Sequence, residues 1–428
     1  MVHRLNTTGH AVGRIAVLQS TSSSESAGAS VAEQGFYHLL TRGVLNGDRV
    51  DSRERIESIA AVLHASRDWP RVLELARSPD LRFIFSNTTE AGIATSLDDA
   101  LDATPPRSFP AKLTRVLYER FTSGQQRGLV VVPCELIERN GQTLLACVRE
   151  LTTRWHLPTD FSRWIDAECI FVDTLVDRIV PGKPADAPDP FAVVAEPFCQ
   201  LFLQSPVSSV RDELPFEKVD GVEAVWTDDL APYRMRKVRI LNGAHTAMAM
   251  VGSACGLTTV RDCMEDPLVG AYVDRLVTRE IVPSLSLPSE LELARYASEV
   301  FDRFRNPSVE HKLASIALNT SSKWRTRLLP TLLEAKSPTP CTAFALATFL
   351  WNYRPGTSPQ DDPAVVARVR AAWATPSVAA SALRDETLWK TDLSRIAGLV
   401  QTVERQLVDC QRDGVRQTLE RFTATPSS

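Results

Sequence analysis

Four short runs rich in β-branched residues, 14–18, 81–85, 128–132 and 169–172, are separated by stretches with apolar residues at helical spacing. Strands that alternate with amphipathic helices belong to a parallel sheet, because each crossover helix must bury its apolar face against that sheet. Segments 111–121 and 143–155 carry the helical spacing, so the first part of the chain reads as an α/β domain. Between 181 and 190 four prolines interrupt the pattern. Proline lacks the amide hydrogen that helices and central strands require, so the domain boundary is expected there, between 185 and 186. From 191 onward strand-like runs nearly vanish and helical patterns take over. The clearest is the stripe Leu393, Ile396, Val400, Val403 and Leu407, read as one amphipathic helix. The proline-rich 353–363 reads as a loop between helices, and the Ser- and Ala-rich 20–30 as a solvated loop after the first strand.

A chain of 428 residues exceeds the size at which one core normally keeps growing, which also favours two domains. Hydrophobic residues at 44% and charged residues at 23% exclude a disordered chain. A formal charge of −4, from 48 basic and 52 acidic residues without long runs of either sign, gives no footprint for nucleic acid. No stretch approaches the roughly 18 uncharged apolar residues of a membrane span. Residues 1–10 have no apolar signal core behind them, so the expected compartment is the cytoplasm. The eight cysteines form no C-x-x-C pair and the seven histidines are dispersed, so no metal site is expected and the thiols are read as reduced and mostly buried.

The segment with the most chemistry is Lys237-Val-Arg-Ile-Leu-Asn242-Gly-Ala-His245. On an α-helix at about 100° per residue, Asn242 lies roughly 140° and His245 roughly 80° around from Lys237, so the three share one broad face. Reducing a carbonyl requires hydride at carbon and a proton at the oxygen that becomes negative. A lysine flanked by Arg234, Arg236 and Arg239 and partly desolvated has its ammonium disfavoured, which suits a general acid. The Asn242 amide and His245 imidazole are neutral donors suited to a developing oxyanion. The plainer alternative is a surface lysine, a capping asparagine and a core histidine.

Lys237-x4-Asn242-x2-His245 resembles the catalytic signature of the polyol-specific long-chain dehydrogenases, the mannitol dehydrogenase family. Further segments match in order: Ser86-Asn-Thr-Thr-Glu90-Ala-Gly-Ile93, Pro133-Cys-Glu-Leu-Ile-Glu-Arg-Asn140-Gly141, Thr174-Leu-Val-Asp177-Arg178-Ile-Val-Pro-Gly182, Arg303-Phe-Arg305-Asn-Pro307 and Ser315-Ile-Ala-Leu-Asn-Thr-Ser-Ser-Lys323. The resemblance implies a Rossmann-like domain over 1–185 and a mainly helical substrate domain over 186–428. It implies Lys237 as acid/base, and Asn242, His245 and Asn140 at the reacting oxygen. Gln19, Ser86, Asn87, Thr88 and Glu90 fall beside the cofactor, and Asp177, Arg178, Arg305 and Lys323 at the substrate. By their residue types alone, Asn87 and Asn140 can equally cap turns, and Asp177 can pair with Arg178. Ser315 replaces the family's arginine and Cys134-Glu135-Leu136 its usual Cys-Asp-Asn. Both departures resemble the tagaturonate reductase (altronate oxidoreductase) branch. That implies reversible reduction of tagaturonate, a small-molecule sugar acid, to altronate with NAD; fructuronate or a neutral polyol are the neighbouring choices.

Two expectations run against this. The family opens with a strand and a Gly-rich turn that sets a helix N-terminus against the cofactor pyrophosphate. Here residues 1–6 resemble the end of the helix after that turn, and 14–19 the second strand. The chain therefore reads as starting late, by a misassigned start or a truncation, with weakened cofactor binding; the alternative is a catalytically silent sugar-acid binding protein. The second strand ends in Gln19, Ser20 and Thr21 instead of the acidic residue that grips NAD ribose hydroxyls, which leaves NADP open.

Overall fold

The computed structural model describes residues 1–20, 35–88, 90–184, 186–335 and 339–424, with the backbone alone at Glu90 and Glu290. Beyond Ser20, the Ser- and Ala-rich stretch lies outside the described residues. The strands are β1 (Ile15–Gln19), β2 (Tyr37–Leu45), β3 (Asp48–Ile56), β4 (Ile59–His64), β5 (Phe83–Ser86), β6 (Val130–Pro133), β7 (Ile170–Phe171), β8 (Asp173–Asp177), β9 (Val193–Ala195), β10 (Gln200–Gln204) and β11 (Glu223–Trp226). Two compact units emerge, Met1–Arg42 with Val50–Ala231, and Gly43–Arg49 with Pro232–Ser428. The boundary is thus after Ala231, and the expected division at 185/186 is corrected. The physical reason is pairing: β9 joins β2 in parallel, while β10 joins β8 antiparallel and β11 in parallel, so residues beyond the prolines still complete first-unit sheets.

In the first unit the four expected strands form as β1, β5, β6 and β7. β5, β6 and β7 run parallel, and β1 pairs in parallel with β4. Among the described residues these are separate ladders. The first-unit helices include α1 (Val2–Thr7), α2 (Ala65–Arg77), α3 (Phe109–Thr122), α4 (Asn140–Arg154) and α5 (Thr159–Glu168). The run 129–133 has no polar side chain because both faces are covered, as in a central parallel strand. Leu129 and Val131 enter a core with Leu117 of α3, Val148 of α4 and Phe161 of α5. Val130 and Val132 face the opposite core, with Leu201, Leu203 and Phe216. The β2–β3 hairpin was not anticipated, yet its turn is Asn46-Gly47, with φ of 54° and 83°. Asparagine and glycine are the residues that tolerate paired positive φ in a two-residue hairpin turn.

Apart from the hairpin tip Gly43–Arg49, the described residues of the second unit are mainly helical. Its elements include α6 (Ala231–Arg236), a π-helical segment Lys237–Asn242, α7 (Gly243–Ala254), α8 (Val260–Glu265), a second π segment Leu276–Ile281, α9 (Leu293–Phe304), α10 (Leu313–Ile316), α11 (Thr320–Arg327), α12 (Pro340–Asn352) and α13 (Leu399–Asp413). Ten consecutive residues of α7, Gly243–Gly252, are buried. A helix apolar all round belongs inside a bundle, and α7 packs on α8, α10, α11 and α12. The stripe read as one helix from Leu393 is divided: Leu393–Arg395 is a single 3₁₀ turn and α13 begins at Leu399. Gly398 between them has φ of 75°, a left-handed break that a helix cannot carry through. The proline-rich 353–362 is a loop, as expected.

Candidate active site

The first unit presents a row of parallel-strand carboxyl ends. Gln19 ends β1 opposite His64 on β4, and Ser86 ends β5 opposite Pro133 on β6. Crevices at such ends are where open α/β sheets bind ligands. Glu135, 2% exposed, ties the ends of β5 and β6 together. Its carboxylate accepts from Ser86 Oγ (3.0 Å), Thr88 N (2.9 Å) and Thr88 Oγ1 (2.8 Å). Ser86 and Thr88 therefore shape the turn after β5, while Asn87 between them is exposed. Of Glu90 only the backbone is described, at the start of a 3₁₀ turn.

Asn140, which the resemblance puts at the reacting oxygen, has its amide engaged within the protein. Its side chain is 0% exposed. Its amide nitrogen donates to the carbonyls of Pro133 (2.9 Å) and Glu135 (3.0 Å) and to Thr174 Oγ1 (3.1 Å), and its oxygen accepts from Gly141 N (3.0 Å) and Thr174 N (2.8 Å). That set engages both ends of the amide, so Asn140 is a joint between the ends of β6 and β8 and not an open donor. The preceding Arg139 is left-handed, with φ of 50°, at the N-cap of α4. Gly141 sits so close to the chain after β7 that a Cβ would lie 2.6 Å from Val172 O, which only glycine avoids. Asp177 on β8 is 5% exposed, and Arg178 Nε donates to Glu196 O at 3.0 Å.

In the second unit Lys237, Asn242 and His245 fall on the π segment and the start of α7. The Gly243 N–H reaches Val238 O, a step of five residues that marks the wide turn. An i→i+5 ladder brings residues five apart onto the same face, so Lys237 and Asn242 align more closely than α-helical spacing predicts. The neighbouring arginines have structural duties. Arg236 Nη1 donates to Leu291 O at 3.0 Å and its guanidinium lies 4.2 Å over Tyr296. Arg239 donates to Glu334 (2.8 Å), Ser284 (3.0 Å) and Thr331 (3.2 Å). The His245 ring packs against Phe304 at 4.4 Å and meets His311 edge to face at 4.8 Å.

Lys323 lies one turn into α11 and donates to Ile316 O at 2.8 Å, the last residue of α10. Asn319, left-handed with φ of 52°, starts that helix, and Asp361 fixes its first turn by accepting from Ser321 N (2.7 Å) and Ser321 Oγ (2.9 Å). Arg305, past the end of α9, is exposed, with its guanidinium 6.0 Å from the Phe301 ring. The second unit thus collects Lys237, Asn242, His245, Lys323 and the unanticipated His311. The backbone of His311 is held where Val260 N donates to its carbonyl at 3.0 Å and Thr259 bridges Lys312.

Comparison with known proteins decides the family. The mannitol dehydrogenase Rossmann domain model matches residues 13–216, and the mannitol dehydrogenase C-terminal domain model matches 229–411. The chain belongs to the mannitol dehydrogenase family. An altronate oxidoreductase of Klebsiella pneumoniae (strain 342) is 39% identical, over 91% of this chain and 86% of that protein. One of Bacillus subtilis (strain 168) is 38% identical, over 96% and 89%. A substrate-free D-sorbitol dehydrogenase structure shares the fold with a TM-score of 0.81 at 20% identity, covering 97% of this chain and 90% of that one. Pseudomonas fluorescens mannitol 2-dehydrogenase, in ternary complex with NAD and D-mannitol, shares it with a TM-score of 0.68 at 21% identity, covering 96% and 88%.

As a member of the mannitol dehydrogenase family, the chain is an oxidoreductase acting on CH–OH groups with a nicotinamide cofactor. The strand ends fit such a group: Gln19 Oε1 and His64 Nε2 are buried on adjacent strands with no hydrogen-bond partner among the described residues. A buried polar atom without a partner is costly, so atoms of this kind mark places a polar ligand can satisfy. His64 and Glu135 were not anticipated. The signal for His64 was its place at the end of an apolar run, Ile59–Leu63. For Glu135 it was an acid two residues past Pro133, the end of an apolar run.

The cysteines do not compete for this chemistry. All eight are free, three of them buried and five partly exposed. Burial, reinforced by the Glu135 charge, pushes the Cys134 thiol up to about 12, which keeps it protonated and unreactive.

Proposed function

We propose that this protein reversibly reduces tagaturonate to altronate with NADH. The observation that carries the reading is its 38–39% identity to proteins named altronate oxidoreductase over most of their length, together with Lys237 and Asn242 on one π turn. NAD is favoured over NADP by the likeness to a mannitol 2-dehydrogenase complexed with NAD. When bound, the cofactor supplies hydride to the carbonyl carbon. Lys237 delivers the proton to the carbonyl oxygen, and Asn242 and His245 donate to that oxygen as it becomes negative. The π turn serves this chemistry because it presents an acid and a neutral donor on one face. In the first unit Gln19, His64 and the turn Ser86–Thr88, held by Glu135, accept the cofactor, and Asp177 and Arg178 are its candidates for substrate contact; in the second unit the candidates are Arg305 and Lys323. Asn140 supports the site by holding strand ends in place.

The test is to supply the protein with tagaturonate and NADH, follow NADH consumption, and identify the product. Stoichiometric altronate supports the reading. Ligand binding without turnover would instead make the protein a sugar-acid binder, and stronger turnover with NADPH would reverse the cofactor choice.

A further inference from the structure

His311 belongs to none of the motifs that carry the family resemblance, yet its ring meets that of His245 edge to face at 4.8 Å, with an interplanar angle of 77°. Its backbone is fixed on both sides: Val260 N donates to His311 O at 3.0 Å, and Leu313 N donates to Thr258 O at 2.9 Å. A fixed backbone, with the ring set against that of His245, gives the imidazole a defined place, which is the condition for a residue that orients a ligand. His311 is only partly buried, so it can be reached by solute. Lys323, which helix α11 places nearby, is tethered to Ile316 O at 2.8 Å. Burial first, and the Lys323 charge second, hold the His311 imidazole below its ordinary value. It is therefore neutral near pH 7, with one ring N–H to donate.

A fixed positive charge beside a neutral N–H donor, next to a histidine placed for a reacting oxygen, suits an anionic substrate group. We propose that His311, together with Lys323, forms the subsite for the substrate carboxylate, and that His311 sets the preference for a sugar acid over the corresponding neutral sugar. This rests on the reading of the substrate as a uronate. It assigns the distinction between uronate and polyol to a residue outside the Lys-Asn-His signature.

The experiment compares kcat/KM for tagaturonate and for its neutral counterpart, tagatose, in the wild type, His311→Ala and His311→Phe. Phenylalanine keeps a ring against His245 and removes the N–H, so it separates packing from donation. Thermal unfolding of each variant verifies the fold. The ratio of tagaturonate to tagatose efficiency is expected to fall about 10- to 100-fold in both variants, the size of one hydrogen bond to a charged group. A wild-type ratio in His311→Phe, or parallel losses on both substrates that leave the ratio unchanged, would overturn the proposal while the uronate reading stands. A wild type that does not prefer tagaturonate would overturn that reading and this inference with it.

Discussion

Lys237 and Asn242 are the first and last residues of one π-helical segment, between an α-helix that ends at Arg236 and another that begins at Gly243. Single π turns within α-helices interrupt regular bonding and are common at functional sites. Here the turn aligns the two polar residues at the head of a helix whose next ten positions are buried. Lys237→Ala should reduce kcat ~10²–10⁴-fold and Asn242→Ala ~10²–10³-fold, with melting temperatures near that of the wild type. Steady-state kinetics beside thermal unfolding check this; losses that track unfolding would place both residues in the scaffold.

Asn140 should behave in the opposite way. Its removal takes the acceptor from the Thr174 and Gly141 N–H groups, while the carbonyls of Pro133 and Glu135 keep Thr174 Oγ1 and Ile137 N as donors. Asn140→Ala is expected to cost about 3 kcal/mol or more in urea unfolding, at ~1–3 kcal/mol for each buried group left unsatisfied. A full loss of kcat with unchanged stability would show instead that the amide touches substrate.

Glu135 links the carboxyl ends of β5 and β6 through three hydrogen bonds to Ser86 and Thr88. Glu135→Gln keeps the shape and removes the charge that strengthens those bonds, each worth about 1.5–3 kcal/mol when an ion takes part. NADH titration should show binding weakened by about tenfold or more, since that is ~1.4 kcal/mol. Unaltered affinity would remove the turn after β5 from the cofactor site.

Gly252 is a close approach of α7 to α8. A Cβ there would lie 2.4 Å from Cys263 Sγ and 3.0 Å from Leu313 Cδ1. Gly252→Ala should destabilise by about 1–3 kcal/mol, the usual cost of overpacking. Adding Cys263→Ala should recover part of that loss, because it removes the nearest atom. A double variant no more stable than the single one would locate the strain elsewhere.

Asp361 gives the helix that carries Lys323 a pH dependence. Burial alone would raise its carboxyl, but hydrogen bonds from Tyr353, Ser321 and the Asp362 amide outweigh this and hold it below the usual carboxylate range. A depressed folded value contributes stability that is present above the unfolded value, near ~3.9, and is lost as pH falls through the folded one. The melting temperature of Asp361→Asn should lie below that of the wild type at pH 7, and the gap should narrow below about pH 4. A gap that persists undiminished to pH 3 contradicts this assignment.

What could be read from the residues follows the physics of each signal. The run 128–132 and the prolines near 185 carry strong local information, and a strand forms there, shifted slightly to Val130–Pro133. The prolines marked a real interruption but not the domain boundary, because residues on both sides of them pair in the same sheets. Asn46-Gly47 was a hairpin signal in plain view. The π turn could not be read, since an α and a π segment share the same apolar spacing over six residues. Nor could the duties of Asn140 and His311 be read, as both depend on partners distant in sequence, Thr174 and His245. Motif spacing locates a residue; only its neighbours decide whether it faces a ligand or a strand end.

The most direct test of the functional reading is kcat/KM of this 428-residue protein for tagaturonate, fructuronate and fructose, each with NADH at saturation. The highest value is expected for tagaturonate, with fructose lowest because it offers no carboxylate. A higher value for fructose or fructuronate, or no turnover above the cofactor blank with any of the three, would contradict it.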